Sequence, residues 1–329
     1  MKSSNVEFIQ QVVQLTQNIH YRSKSDDGFE PFVWELAEKG DFTIEKFLKS
    51  EGFLYAVKSD DLLKYVSSEA SWCRYDTPNP AETAAVMSLR YRELINFCNS
   101  NFKTTEIYLL RNLLIGSRRN PNIRKESLTK SLIGNPDLLY QLSINKNNQS
   151  EFYKRGIICC EQEAFHIILG ETFEHDWVGI APNMDISGST KRKGGKILPL
   201  PEKSTFLNTI NLNNYIEKFV KNIDFPVIHF TARYTKKSAI VEMSHTKDNL
   251  LTRLLSSLQF LKTSTFNDYS SLDLEEADKE KFRPLDEFLK SKLIDMQEYT
   301  IGLGIVCDIY SIGRTIERDW LGISTRANW

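Results

Sequence analysis

The sequence predicts an α+β protein: a helical N-terminal region, a central, mostly antiparallel sheet and a helical C-terminal region. Two observations carry this. Apolar residues recur at helical spacing in the first and last thirds. Short runs rich in Val, Ile and aromatic residues, punctuated by turn-makers, fill the middle. At 329 residues, with 41% hydrophobic and 26% charged side chains, the chain is long enough for more than one core.

Val6, Ile9, Val12, Val13 and Leu15 to Ile19 form the first helical stripe. Asp41 or Thr43 suits the cap of a short helix carrying Ile44, Phe47 and Leu48, and Gly52 stands where it should stop. Ser59, followed by Asp60 and Asp61, has the polar cap and acidic first turn of a helix start. Asn79-Pro80 opens a long helix over Ala81 to Phe97, with proline at its favoured first position. A further helix is expected from Thr104 or Thr105 through Leu114. Turn-formers dominate from Ser117 to Ser150, which places domain boundaries there: a helical domain over 1–116, a basic connecting segment over 117–155 and an α+β domain over 156–329.

Strands are expected at Ile157–Cys160, Phe165–Leu169 and Trp177–Ala181, a helix around Leu212–Val220, and two more strands at Val227–Ala232 and Ala239–Met243. Leu250, Leu251, Leu254, Leu255 and Leu258 mark a helix over Asn249–Leu261. The acidic stretch Asp273–Lys281 reads as a solvated loop or helix edge, and Pro284 as the opening of a helix over Leu285–Met296. Glu174–Ile180 is similar to Glu317–Ile323, 143 positions on. Two short matches read as coincidence, since repeats usually recur more than twice; a true match would imply duplicated strands.

A net charge of −1 excludes any partner assignment from global electrostatics, so charge must act through local clusters. The five cysteines, Cys73, Cys98, Cys159, Cys160 and Cys307, include an adjacent pair and no Cys-x-x-Cys spacing. Reduced thiols and a cytoplasmic setting are expected, without a structural zinc. Neither an apolar signal core nor a membrane-length apolar run is present, so no membrane partner is expected.

The segment Ser187–Lys196 combines three glycines, three hydroxyls and four basic residues with no acid. Glycine lets backbone N–H groups approach an oxyanion, and Lys and Arg neutralise phosphate. The order of residues is not that of a Walker loop, because Ile197 follows Gly195-Lys196. Eight basic residues face three acids between Ser117 and Arg155. The leading expectation is a nucleic-acid-binding protein, a subunit of a ribonucleoprotein or defence-type (antiviral) complex. Arg118, Arg119, Lys191, Arg192, Lys193, Lys196, Arg233 and Lys237 would grip DNA or RNA phosphate, with Phe152, Tyr153, Phe230 and Tyr234 placed for base stacking.

Two alternatives stand beside it. Cys160, His166, His175 and Asp176 crowd together with several glutamates, as a Cys/His hydrolase or a toxin-like nuclease would require. Cys160 would face His166 across a hairpin turned by Glu161–Ala164, and Glu163, Asp176 and Asp185 would hold a divalent metal. No cofactor is expected outside that nuclease reading. A paired-histidine centre of His229, His245 and Arg233 is weaker still, because His245 resembles a helix-entry residue. The other alternative is a non-catalytic interaction protein, binding a protein partner through its helical regions and Trp329.

Overall fold

The computed structural model describes residues 1–21, 27–67, 79–115, 159–183, 195–221, 223, 225–229, 234–236, 239–272, 274–302 and 306–328. In chain order its elements are α1 (Ser3–Thr16), β1 (Glu30–Trp34), α2 (Leu36–Lys39), α3 (Ile44–Ser50), β2 (Leu54–Val57), α4 (Ser59–Ser67), α5 (Pro80–Asn101), β3 (Thr104–Ile115), β4 (Cys159–Glu171), β5 (Trp177–Pro182), α6 (Leu207–Val220), β6 (Phe225–His229), β7 (Tyr234–Lys236), β8 (Ala239–Ser244), α7 (Lys247–Ser257), β9 (Leu261–Thr265), α8 (Glu276–Lys292), β10 (Ile294–Ile301), β11 (Val306–Arg314) and β12 (Trp320–Asn328). The α+β class is as the sequence predicts, with antiparallel sheets and helices in both terminal thirds.

Local signals explain several boundaries. Asn79 caps α5 by accepting from the Glu82 N–H at 3.2 Å, and its amide returns a bond to the Glu82 carboxylate at 3.0 Å. Gly52 ends the α3 segment with φ +79, while the Phe53 N–H bonds back to Leu48 C=O. Other expectations fail for physical reasons. Thr104–Ile115 is a strand, not a helix: its Thr, Ile and Tyr favour extended backbone, and it is paired on both sides, with β2 and β4. The acidic stretch after Glu275 is the helix edge that one of its two readings expected: the exposed first turn of α8, where carboxylates favour the helix dipole. Pro284 lies inside that helix, and the segment from Ile294 is a strand.

The described residues divide into two compact units, interleaved along the chain. Unit 1 comprises Met1–Lys46, Asp185–Leu200 and Leu255–Trp329; unit 2 comprises Phe47–Met184 and Pro201–Leu254. This division differs from the sequential boundaries expected at 116 and 156.

Unit 1 holds a five-stranded sheet in the order β1-β12-β11-β10-β9, each neighbour antiparallel. Phe8 and Val12 of α1 and Phe282, Leu285 and Leu289 of α8 pack on Ile309, Leu321 and Ile323 of the sheet. Unit 2 holds the order β2-β3-β4-β5-β8, with β6 paired to β4 and β7 to β6. Leu94 and Cys98 of α5 and Ile216 and Val220 of α6 pack on Ile107, Ile168 and Val178. Each unit is thus a helix layer on an antiparallel sheet.

The two sheets are copies of one design. Read from β1 and from β8, both follow the same sequence of strands, and in both the second and third strands form a hairpin (β11–β12, β4–β5) with one register. Glu171 faces Trp177, Leu169 faces Gly179 and Ile168 faces Ile180; 143 positions on, Arg314 faces Trp320, Ile312 faces Gly322 and Ser311 faces Ile323. The similarity of Glu174–Ile180 to Glu317–Ile323, expected to be coincidence, is therefore a structural duplication. The copies are also exchanged. The N-terminal β1 completes the sheet built by the C-terminal strands β9–β12, whereas β8 completes the sheet of β2–β5. The chain passes between units four times: within α3, at 184/185, at 200/201 and within α7.

Candidate functional site: a reinforced hairpin and a lysine network

In unit 2 the β4–β5 turn is closed by Thr172 N–H to Asp176 C=O at 2.7 Å and His175 N–H to Thr172 C=O at 3.0 Å, with His175 left-handed at φ 64. Unit 1 repeats it: Thr315 N–H to Asp319 C=O at 2.8 Å, Arg318 N–H to Thr315 C=O at 3.0 Å, and Arg318 at φ 70. An αL residue closing a tight turn matches the right-handed strand twist.

The aspartate that follows is buried in both units and ties the hairpin to the start of a helix. Asp176 accepts from Thr209 Oγ1 at 3.0 Å, from the Ser204 hydroxyl and from His245 Nδ1 at 3.0 Å. Asp319 accepts from Asn5 Nδ2 at 3.1 Å, from the Leu36 N–H at 3.0 Å and from Lys2 Nζ at 2.8 Å. Thr209 and Asn5 are both the third residue of their helices. Burial pushes the Asp319 carboxyl up, but the bonds from Lys2, Leu36 and Asn5 outweigh it and hold the group below its ordinary value. Glu35, the counterpart of His245, is likewise held low by Asn5 and the Lys2 N–H.

A second cluster lies at the start of α7. Lys247 Nζ bonds to Tyr108 Oη at 2.8 Å and to the Glu106 carboxylate, which also accepts from Tyr108. The ammonium stands 5.2 Å from the Tyr108 ring centroid and 5.5 Å from that of Trp177. Unit 1 keeps the tyrosine and tryptophan but not the charges. Tyr299 donates to Gln297 at 2.8 Å, and Phe42 stacks on Trp320 at 4.7 Å between centroids, in the lysine's stead.

The expected residues are distributed as follows. Arg118, Arg119, Lys191, Arg192, Lys193, Arg233 and Lys237 lie outside the described residues, as do Asp185 and Trp329. Lys196 is exposed, and its backbone pairs with Thr265 of β9. The hairpin expected between Cys160 and His166 does not form. β4 runs as one strand from Cys159 to Glu171, because pairing with β3 on both sides of a register shift at Asn112/Leu113 satisfies its backbone. Six residues of strand separate the two positions by about 20 Å. His166 is buried and faces Leu109 in the sheet. His175 is exposed, with Nδ1 2.8 Å from Glu171 Oε1 and 3.3 Å from Lys103 Nζ. The bond from His175, then that from Lys103, lowers the Glu171 carboxyl. Asp176 meets two hydroxyls and an imidazole rather than acids, and among the described residues no cluster of His, Cys, Asp and Glu fits a metal ion. Cys98 and Cys307 are buried cysteines; burial pushes the Cys98 thiol up to about 12, far from a nucleophilic thiolate.

Glu106, Tyr108 and Lys247 escaped sequence reading because Lys247 lies 139 positions from Tyr108 and 141 from Glu106. A legible signal existed in Glu106-x-Tyr108 and Gln297-x-Tyr299, matching positions of the duplicated strands.

No helix among the described residues is long and apolar enough to cross a membrane. No curated protein matches the chain. A family model described as nuclease A inhibitor-like protein matches residues 6–116 and 221–327, about two thirds of the sequence. These ranges take in strands of both units. The chain belongs to the nuclease A inhibitor-like protein family.

Proposed function

We infer that this chain is a protein-binding inhibitor of a nuclease, acting by contact with the enzyme rather than by catalysis of its own. The family match across both units carries this reading. The chemistry of the described candidates supports it. The Asp176 carboxylate is occupied by Ser204, Thr209 and His245 in tying a hairpin to a helix, and its counterpart Asp319 is used in the same way. A rigid hairpin held at both strands and at a helix start is suited to presenting side chains to another protein. Buried reduced thiols fit a cytoplasmic setting.

The test is a titration of the chain into nuclease A acting on plasmid DNA, with a parallel arm containing labelled DNA and no enzyme. Stoichiometric loss of hydrolysis with no shift of the DNA alone is expected. Loss of hydrolysis accompanied by a DNA shift would instead favour phosphate capture by Arg118, Arg119, Lys191, Arg192, Lys193, Lys196, Arg233 and Lys237. Unimpaired hydrolysis would remove the inhibitor reading.

A further inference from the structure

The duplication allows one unit to serve as an internal control for the other. Both hairpins expose a large apolar side chain at the same turn position, Phe173 at 67% and Ile316 at 93%. What surrounds them differs. In unit 2 the helix that meets the hairpin begins with Phe206 and Leu207, exposed at 50% and 70%. Asn208 Nδ2 bonds Glu174 Oε1 at 2.7 Å, which brings this helix start against the turn carrying Phe173. Phe206 packs edge-on to His245 at 5.8 Å, and His245 bonds Asp176. Three exposed apolar side chains therefore surround one reinforced corner, a larger cluster than scattered surface residues explain. In unit 1 the equivalent helix start is Lys2-Ser3, preceded by Met1, exposed at 68%; here Lys2 pairs with Glu317 at 3.0 Å and Asp319 at 2.8 Å.

Charge separates the two corners as well. The unit 2 hairpin carries Glu171 and Glu174, with Asp176 buried beneath them, against Lys103 and His175. The unit 1 hairpin carries Glu317 and Asp319 against Arg314, Arg318 and Lys2. An enzyme that holds a polyanion lines its substrate groove with cations, so an apolar corner edged by carboxylates complements it and a balanced corner does not.

We propose that the nuclease docks on unit 2 alone, one molecule per chain, with Phe173 and Leu207 as apolar anchors and Glu174 facing the cationic rim. This rests on the inhibitor reading and assigns its surface. Fully desolvated apolar anchors dominate protein interfaces, and replacing them with charge is costly.

Calorimetric titration with nuclease A tests it, using the full chain and the variants F173E/L207E and I316E. All three positions are exposed, and a glutamate at position 207 suits the first turn of α6, so both variants should keep the wild-type melting temperature. The expected result is one nuclease per chain for the wild type and for I316E, and affinity lower by about tenfold or more for F173E/L207E. Two nucleases per chain, or wild-type affinity in F173E/L207E, would overturn the assignment to unit 2 while leaving inhibition standing. Absence of wild-type binding would remove the inhibitor reading and this assignment together.

Discussion

Asp176 shows what a single residue can hide. Its sequence setting, among histidines, glutamates and cysteines, resembles a catalytic cluster, yet its partners are Ser204, Thr209 and His245, about 28 to 69 positions downstream. Residue type and local crowding were legible; the long-range donors that occupy the carboxylate were not. Asp319 is its counterpart, and its depressed pKa makes a stability prediction. A carboxyl with a lower pKa folded than unfolded stabilises the fold above its unfolded value, and that contribution is lost as pH falls through the folded value. Stability should therefore decline from about pH 4 downward. Asp319→Asn should lower the melting temperature at pH 7, and the difference from wild type should shrink at pH 3. An equal difference at both pH values in thermal melts would show that the ionised form contributes nothing.

Among the elements, those with strong local punctuation were legible. Asn79-Pro80 before α5 and the acids opening α4 mark their helices without help from tertiary structure. The run of leucines in β3 fits either period, and only pairing on both sides decides for strand. Gly179 and Gly322 occupy one position in the two hairpins, but their surroundings differ. A Cβ on Gly322 would meet Ser311 C=O at 2.1 Å and Ile312 Cα at 2.7 Å, both backbone. On Gly179 the nearest atom is the end of the Leu254 side chain, at 2.9 Å. Gly322→Ala should cost about 1–3 kcal/mol or more, and Gly179→Ala less, because a side-chain tip yields more easily than a strand. Chemical denaturation of both variants reads the order; a larger loss at Gly179 would contradict it.

The whole molecule was the least legible scale. The sequence contains the duplication as seven aligned positions, but exchange of the first strand between copies places β1 with β12 and β8 with β5, pairings that no local pattern encodes. Each sheet therefore needs chain from both halves. Fragments 1–184 and 201–329 should lack a cooperative transition when separate and recover one when mixed; a half that melts cooperatively as a monomer would contradict the exchange. The same duplication provides two equivalent hairpin corners that differ in their surroundings: Phe173, Phe206 and Leu207 stand exposed at one, Met1 and Ile316 beside Lys2 at the other. That divergence fits a chain with one docking face and one supporting copy. The most direct test of its role is the rate of DNA hydrolysis by nuclease A as the chain is added. Activity should fall linearly to an end point at one chain per enzyme; activity that stays constant past several equivalents would contradict the account.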